Sequence, residues 1–561
     1  MPSGNTSDAM LIQLKGGTVF DPANGVNGER RDIFMRKGKI ARPPRSGRRA
    51  DRVIDVRGDV IMAGAIDVHS HVGGGKVNIA RMLLPEEHAA SPEARTGLRR
   101  AGSGIVSPST FTTGYRYAEM GYTACFEPAM LPANARQAHL EMADIPIIDT
   151  GAYALLGSDD FLLRLLARGA SRKLVRDYVA WILHATQAIG IKVVNPGGIS
   201  AFKFNQRRLD LDERHVHYGL TPRRILLALA RAVQDLGVPH PLHVHGCNLG
   251  VPGNADTTLK TIEAAEGLRL HLTHLQFHAY GAEGDRRMSS GAAAIAEAVN
   301  TNQNVSIDVG QVIFGQTVTA SGDTMLQYRG RRHAHPNKWV CMDIECDAGC
   351  GVVPFRYRDS NFVNALQWCI GLELFLLVRD PWRVFLTTDH PNAGPFTSYP
   401  HLIRLLMDRS FRRDMLSTIH PEARRASVLD SLDREYTLYE IAIMTRAAPA
   451  RSLGLQQLGQ LGYGAAADVV VYTNSRNRER MFAKPRYVFR NGEMVVRDGR
   501  LVGTPTGTVH TVKPEFDPGI ERRIREYFSR YMTVSPGNFR LGDDELLGFG
   551  RGQVTVHPTI T

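Results

Sequence analysis

Eight short apolar runs, separated by helically patterned stretches, constrain the fold of this chain more than any other feature. They fall at residues 60–68, 123–127, 145–153, 189–194, 241–244, 269–272, 305–309 and 384–388. Runs of this length, bounded by Gly, Pro and polar residues, read as buried strands. Helices separate several of them. One is capped by Thr221, carries Pro222 in its first turn, keeps apolar positions through Leu236 and ends at Gly237. Strands alternating with helices over roughly three hundred residues predict a (β/α)8 TIM-like barrel. A doubly wound open sheet is the competing topology. No Gly-x-Gly-x-x-Gly turn follows an early strand, so a dinucleotide site is not supported.

At 561 residues the chain exceeds one ordinary core. Short alternating runs at 10–22, 32–36, 39–41 and 53–56 are punctuated by Gly and Pro, and similar runs return at 467–472 and 487–496. The Asn491-Gly492 step is a strong hairpin signal. These runs predict a small β-sandwich domain formed from both chain ends, at 1–58 and 451–510. The barrel then occupies 59–450 with an insertion near 312–358, and 511–561 forms a C-terminal extension.

The balance of 43% hydrophobic and 22% charged residues is that of a globular protein. The first residues lack a basic segment followed by an apolar stretch, and apolar runs such as 372–378 are too short to span a bilayer. A cytoplasmic protein with no membrane contact is expected. The net charge of +12 is mostly scattered Arg, denser at 329–338 and 476–486. No recognition module or aromatic-basic interleaving accompanies it, so nucleic acid is not an expected partner. An anionic substrate tail or an acidic partner subunit would suit the charge as well, and a merely solvated surface is the default reading. Cys341, Cys346 and Cys350 have irregular spacing without Cys-x-x-Cys, which favours reduced loop thiols over a zinc site.

His69 and His71 follow the first run, and alternate residues of a strand share a face, so both can reach one metal ion. Lys192, His245, His274 and Asp389 also lie at or just past the ends of apolar runs. Active sites of (β/α)8 barrels lie at the carboxyl ends of their strands. Imidazoles with a carboxylate suit zinc or a similar divalent ion. Lys192 stands inside an apolar strand, where burial lowers the pKa of its ammonium group. A neutral amine there can add carbon dioxide to form a carbamate that bridges two cations. A Lys paired with a carboxylate elsewhere in the chain is the equal alternative.

Gly64-Ala65-Ile66-Asp67-Val68-His69-Ser70-His71 resembles the first-strand signature of the amidohydrolase superfamily. Gly464-Ala465-Ala466-Ala467-Asp468-Val469-Val470-Val471 resembles its returning strand, and the split β domain is similar too. Three further segments are similar to the A subunit of formylmethanofuran dehydrogenase, which also occurs in the formyltransferase/hydrolase complex of methylotrophic bacteria. They are Lys192-Val193-Val194-Asn195-Pro196-Gly197-Gly198, His243-Val244-His245-Gly246-Cys247-Asn248-Leu249-Gly250 and Thr387-Thr388-Asp389-His390-Pro391-Asn392. The likeness runs over most of the chain, about residues 11–544.

This resemblance implies a metal-dependent hydrolase with two divalent ions, zinc by preference. His69, His71 and Asp389 would hold the first ion, His245 and His274 the second, and Lys192 as N6-carboxylysine would bridge them. His245 is preferred to His243, which is expected on the other face of the strand. His271 and His278 are expected to be structural. His390 and Asn392 are candidates for holding substrate or the metals' surroundings. Asn248 is a weaker substrate candidate and, like Asn195 and Gln276, is better suited to bracing a loop.

The implied reaction is hydrolysis of N-formylmethanofuran to formate and methanofuran, or the reverse condensation. Divalent ions make water nucleophilic near neutral pH, and Asp389 would carry the proton to the leaving amine. The implied partners are a formylmethanofuran-type substrate, whose glutamate-rich tail would suit the positive charge, and the other subunits of such a complex. No Gly-x-Ser-x-Gly elbow is present, which disfavours serine catalysis. Two rivals remain: a cyclic-amide hydrolase of the hydantoinase or dihydroorotase type, and a non-catalytic scaffold subunit. Segment 312–358 and the tail after 511 resemble the formylmethanofuran family rather than the shorter cyclic amidases.

Overall fold

A computed structural model describes residues 10–44, 49–206, 208–320, 344–346 and 350–560. Eight parallel strands pair in chain order: Ala65–Asp67, Tyr122–Met130, Asp149–Leu155, Gly190–Val194, Leu242–His245, Leu270–Leu272, Val305–Asp308 and Val384–Phe385. A parallel bridge between Ser70 and His390 joins the last strand to the first. This is the TIM-like barrel expected from the eight apolar runs. Helices between the strands cover it, among them Pro222–Asp235, where the Thr221 side chain accepts the first-turn N–H of Arg224.

The run 60–68 is two strands in two sheets rather than one. Asp59–Ala63 pairs antiparallel with Val469–Thr473 in the small domain, while Ala65–Asp67 opens the barrel. Gly64 is the break between them, its N–H donating to the carbonyl of Asp468. A Cβ at residue 64 would collide with the Thr123 side chain, so the two sheets approach this closely only over a glycine. The small domain is a nine-stranded sheet drawn from both chain ends, around a core that includes Leu14, Ile61, Val469 and Phe489.

Within the insertion, Gly315–Ala320 and Cys350–Tyr357 pair antiparallel, with Ile344–Cys346 on the outer edge. Val318 and Val352 pack on Ala80 and Leu84 beside the barrel mouth, and the Tyr357 hydroxyl donates to the carbonyl of Asn392 (3.0 Å). Cys341 and the basic segment 329–338 lie outside the described residues, as do the side chains of Cys346 and Cys350. Cys125, Cys247 and Cys369 are buried free thiols. Among the described residues no helix is long and apolar enough to cross a membrane.

The C-terminal extension joins the barrel sheet. Thr508–Val512 runs parallel to the third barrel strand, and Gln553–His557 runs parallel to Thr508–Val512. A buried ionic cluster ties the three parts together. Arg490 of the small domain pairs with Asp149 of the barrel (2.6 Å) and with Asp468, and His510 of the extension lies 3.2 Å from Asp149. Burial opposes ionisation of Asp149, but Arg490 and His510 outweigh it and hold the carboxyl well below its usual range. Arg490→Ala would remove the guanidinium that two buried carboxylates share, leaving Asp149 with His510 alone. It is expected to cost about 3–5 kcal/mol in unfolding experiments. A loss under about 1 kcal/mol, the range of exposed pairs, would show that the cluster does not hold the parts together.

Candidate metal centre

The carboxyl ends of the barrel strands bring together side chains far apart in the chain. His69 and His71 lie just past the first strand, where the His71 N–H donates to the carbonyl of His390 (2.9 Å). Lys192 is inside the fourth strand, in register with His243, and His245 ends the fifth. His274 and Asp389 follow the sixth and eighth strands in left-handed backbone, at φ of 36° and 48°. Non-glycine residues hold such geometry only where the surroundings enforce it, at a cost of about 1–3 kcal/mol each, and they cluster at functional sites.

The Nε2 atoms of His69 and His71 converge on Asp389 Oδ1, at 3.0 and 3.5 Å. Lys192 Nζ lies 3.5 Å from His69 Nε2. The His274 ring is 5.5 Å from that of His69 and 4.6 Å from that of His245. All six residues singled out from sequence as metal holders therefore meet at one mouth of the barrel. Ligand atoms of His69, His71 and Asp389 lie within 4.8 Å of one another, and so do those of His245, His274 and His278. His278, expected to be structural, thus stands beside the second group.

The donor set fits divalent cations. His274 Nδ1 is buried without a hydrogen-bond partner, an uncommon cost unless a cation occupies that direction. Burial, then His274 and His278, push the pKa of His245 well down and keep its imidazole neutral, as ligation requires. Burial also lowers the Lys192 ammonium to about 8, so roughly a tenth of it is free amine at neutral pH. Burial disfavours the charged form of Asp389, but His274, His69 and His71 outweigh it and keep the carboxylate ionised.

Two carboxylates that sequence reasoning passed over orient this group. Glu127, in the second strand, accepts from His71 Nδ1 (3.0 Å) and from the N–H groups of Val72 (2.7 Å) and Gly73 (3.1 Å). The His71 proton is thereby held on Nδ1, leaving Nε2 for a cation. Asp308 ends the seventh strand and accepts from His271 Nε2 (3.1 Å), the His274 N–H (2.9 Å) and the Thr387 hydroxyl (2.8 Å). Glu127 closes the apolar run 123–127 and Asp308 stands one residue before the end of 305–309, so the criterion that selected Asp389 would have found them.

His243 is not on the other face. Being two residues from His245, it points to the same side one layer deeper, with Nε2 at 2.9 Å from His69 Nδ1. His271 lies at the same depth, held by Ser306 and Asp308. Of the substrate candidates, His390 accepts the Phe396 N–H at Nδ1 (3.2 Å), and the Asn392 N–H donates to the Asp389 carbonyl (2.7 Å). The Asn248 amide donates to Asp210 (3.1 Å) and Thr257 (3.0 Å), which commits it to its loop. Asn195 Oδ1 is buried without a partner, and the Asn195 N–H donates to the carbonyl of His245 (2.9 Å).

Residues 52–502 match the amidohydrolase family. Among curated proteins, the A subunit of the formyltransferase/hydrolase complex Fhc of Methylorubrum extorquens is 44% identical over 541 residues, covering 95% of this chain and 97% of that protein. Protein FwdA of Methanocaldococcus jannaschii is 41% identical over 554 residues, covering 95% of this chain and 96% of that protein. Among solved structures, the crystal structure of the M. extorquens complex FhcABCD with methylofuran contains a chain that superposes with a TM-score of 0.89. That chain is 42% identical, and the match covers 98% of this chain and 100% of that one. With a barrel of this topology and matches spanning nearly its full length, the chain belongs to the amidohydrolase family, in the branch that holds FwdA and the Fhc A subunit.

Proposed function

We propose that this chain hydrolyses the formamide of a formylmethanofuran-type carrier, releasing formate and the carrier's free amine, as the A subunit of a multi-subunit one-carbon complex. The observation that carries this reading is the meeting of His69, His71, Lys192, His245, His274 and Asp389 at one barrel mouth. The near full-length likeness to the Fhc A subunit narrows the substrate class. Two divalent ions, held by His69, His71 and Asp389 on one side and His245 and His274 on the other with carboxylated Lys192 between, would activate a water and polarise the formyl oxygen.

The chain's own groups do the rest. Asp389, ionised at neutral pH, accepts the proton of the attacking water and returns it to the leaving nitrogen as the C–N bond breaks. Glu127 keeps the His71 ring turned so that Nε2 faces the site. His390 and Asn392, beside Asp389 on the same loop, would orient the substrate. Asn248, spent on Asp210 and Thr257, shapes the neighbouring loop. Formamide and water give formate and amine without an oxidant, so the same groups serve the reverse condensation.

The test is formate release from an N-formylated furan carrier by the purified complex, alongside ring opening of dihydroorotate and hydantoin. Formate release with no ring opening is expected. Ring opening without formate release would replace the reading with a cyclic amidase, and neither activity from metal-replete protein would replace it with a scaffold.

A further inference from the structure

Interiors of (β/α)8 barrels are filled mainly by branched aliphatic side chains. Below the metal centre this barrel instead holds a file of imidazoles. His69 Nδ1 lies 2.9 Å from His243 Nε2, His243 Nδ1 lies 3.0 Å from His240 Nε2, and His240 Nδ1 lies 3.1 Å from the hydroxyl of Ser452. Both deeper rings are wholly buried, and Ser452 is half-buried at the opposite end of the barrel. Tyr153 stacks on both, with centroids 4.8 Å from His240 and 4.7 Å from His243, and its hydroxyl donates to the Val68 carbonyl (2.9 Å). Buried polar rings are costly unless their hydrogen bonds are made, and here each ring nitrogen of the two has a partner.

We propose that His243 and His240 are positioning residues that fix His69 with its ring proton on Nδ1, so that Nε2 is presented to the metal. This rests on the reading that His69 is a metal ligand. The Nε2 of His69 faces Asp389 Oδ1 and Lys192 Nζ, so a cation there leaves the single ring proton on Nδ1. That proton meets His243 Nε2 as acceptor. The His243 proton then stands on Nδ1 and goes to His240 Nε2, and the His240 proton goes to Ser452. The opposite sense would put a proton on His69 Nε2, where the cation binds. Two other groups face His69 Nδ1: the Thr273 hydroxyl and, at 3.5 Å, Asp308 Oδ2, which already accepts from His271. The file therefore runs one way when metal is bound, with Ser452 as its far anchor.

The experiment is Co²⁺ titration of the metal-free complex against a competing chelator, with the cobalt absorption spectrum as second readout. His243→Phe keeps a flat ring but cannot accept, and is expected to weaken Co²⁺ binding by about 10–100-fold, the range for lost ligand-orienting bonds. His240→Phe touches no ligand and is expected to weaken it less, in the same direction and with the same spectral change. His240→Gln, whose amide oxygen can stand where Nε2 accepts, is expected to bind Co²⁺ like the parent. Equal Co²⁺ affinity in both phenylalanine variants, with only a lower melting temperature, would overturn the proposal. So would equal weakening by His240→Gln and His240→Phe, which remains readable if His243→Phe fails to fold. Absence of Co²⁺ binding by the parent would instead remove the metal-centre reading on which the inference stands.

Discussion

Asp389→Asn is expected to lower formate release by about 10³-fold, within the range that loss of a proton carrier costs, in a complex that still folds. The amide has the size of the carboxyl and keeps one oxygen to meet the Nε2 atoms of His69 and His71, which approach Asp389 Oδ1 to 3.0 and 3.5 Å. What it loses is charge and basicity. The carboxyl is buried, which alone would favour its neutral acid, yet His274, His69 and His71 hold its pKa well below the ordinary range. A base ionised across the neutral range is therefore replaced by a group that cannot take a proton there. Metal analysis separates the two roles that meet in this residue. If Asp389 acted only as a ligand, excess divalent metal would restore both occupancy and turnover. If it carries the proton, occupancy recovers and turnover does not. A loss below tenfold at full occupancy would end the assignment.

The barrel was legible because its strands are apolar runs too short for a helix, and helical patterns separate several of them. The error at 60–68 has a local cause: Asp59–Ala63 and Ala65–Asp67 are both apolar and buried, and only Gly64 marks the passage from one sheet to the other. His69, His71, Lys192, His245, His274 and Asp389 could be found because each lies at or near the end of such a run. Glu127 and Asp308 have the same placement, but they lie outside the motifs that carry the family resemblance, and their bonds to His71 and His271 appear only in the folded chain. The layer containing His243 and His271 was harder to read. Its depth follows from the register that sets Lys192 beside His243 and His243 beside His271, which periodicity within one strand does not disclose. Nor could local pattern reveal that Thr508–Val512 joins a strand more than three hundred residues earlier, because that pairing is made by tertiary packing alone.

Lys192→Ala is expected to lose divalent metal and to reduce formate release by about 10³-fold or more, corresponding to several kcal/mol of charge stabilisation. The side chain is buried in the fourth strand, between Leu155 and His243 in register, and its amine stands 3.5 Å from His69 Nε2. Burial is the largest influence on it and brings the ammonium to about 8, with Asp389 and Asp308 acting in the opposite direction. Those facts suit two arrangements. In one, the free amine has taken up carbon dioxide and its carbamate oxygens bridge two cations. In the other, the ammonium remains and balances the nearby carboxylates. The alanine variant distinguishes them because it leaves a gap the length of the lost side chain. A short carboxylic acid such as propionate, diffusing into the gap, offers two oxygens and should restore part of the metal content and turnover if the carbamate is the working form. A short amine such as ethylamine should do so if the ammonium is. Rescue by the amine alone would remove the bridging carbamate and leave Lys192 as a counter-charge to Asp389 and Asp308. Rescue by the acid alone, rising with metal occupancy, would tie the residue to the cations themselves.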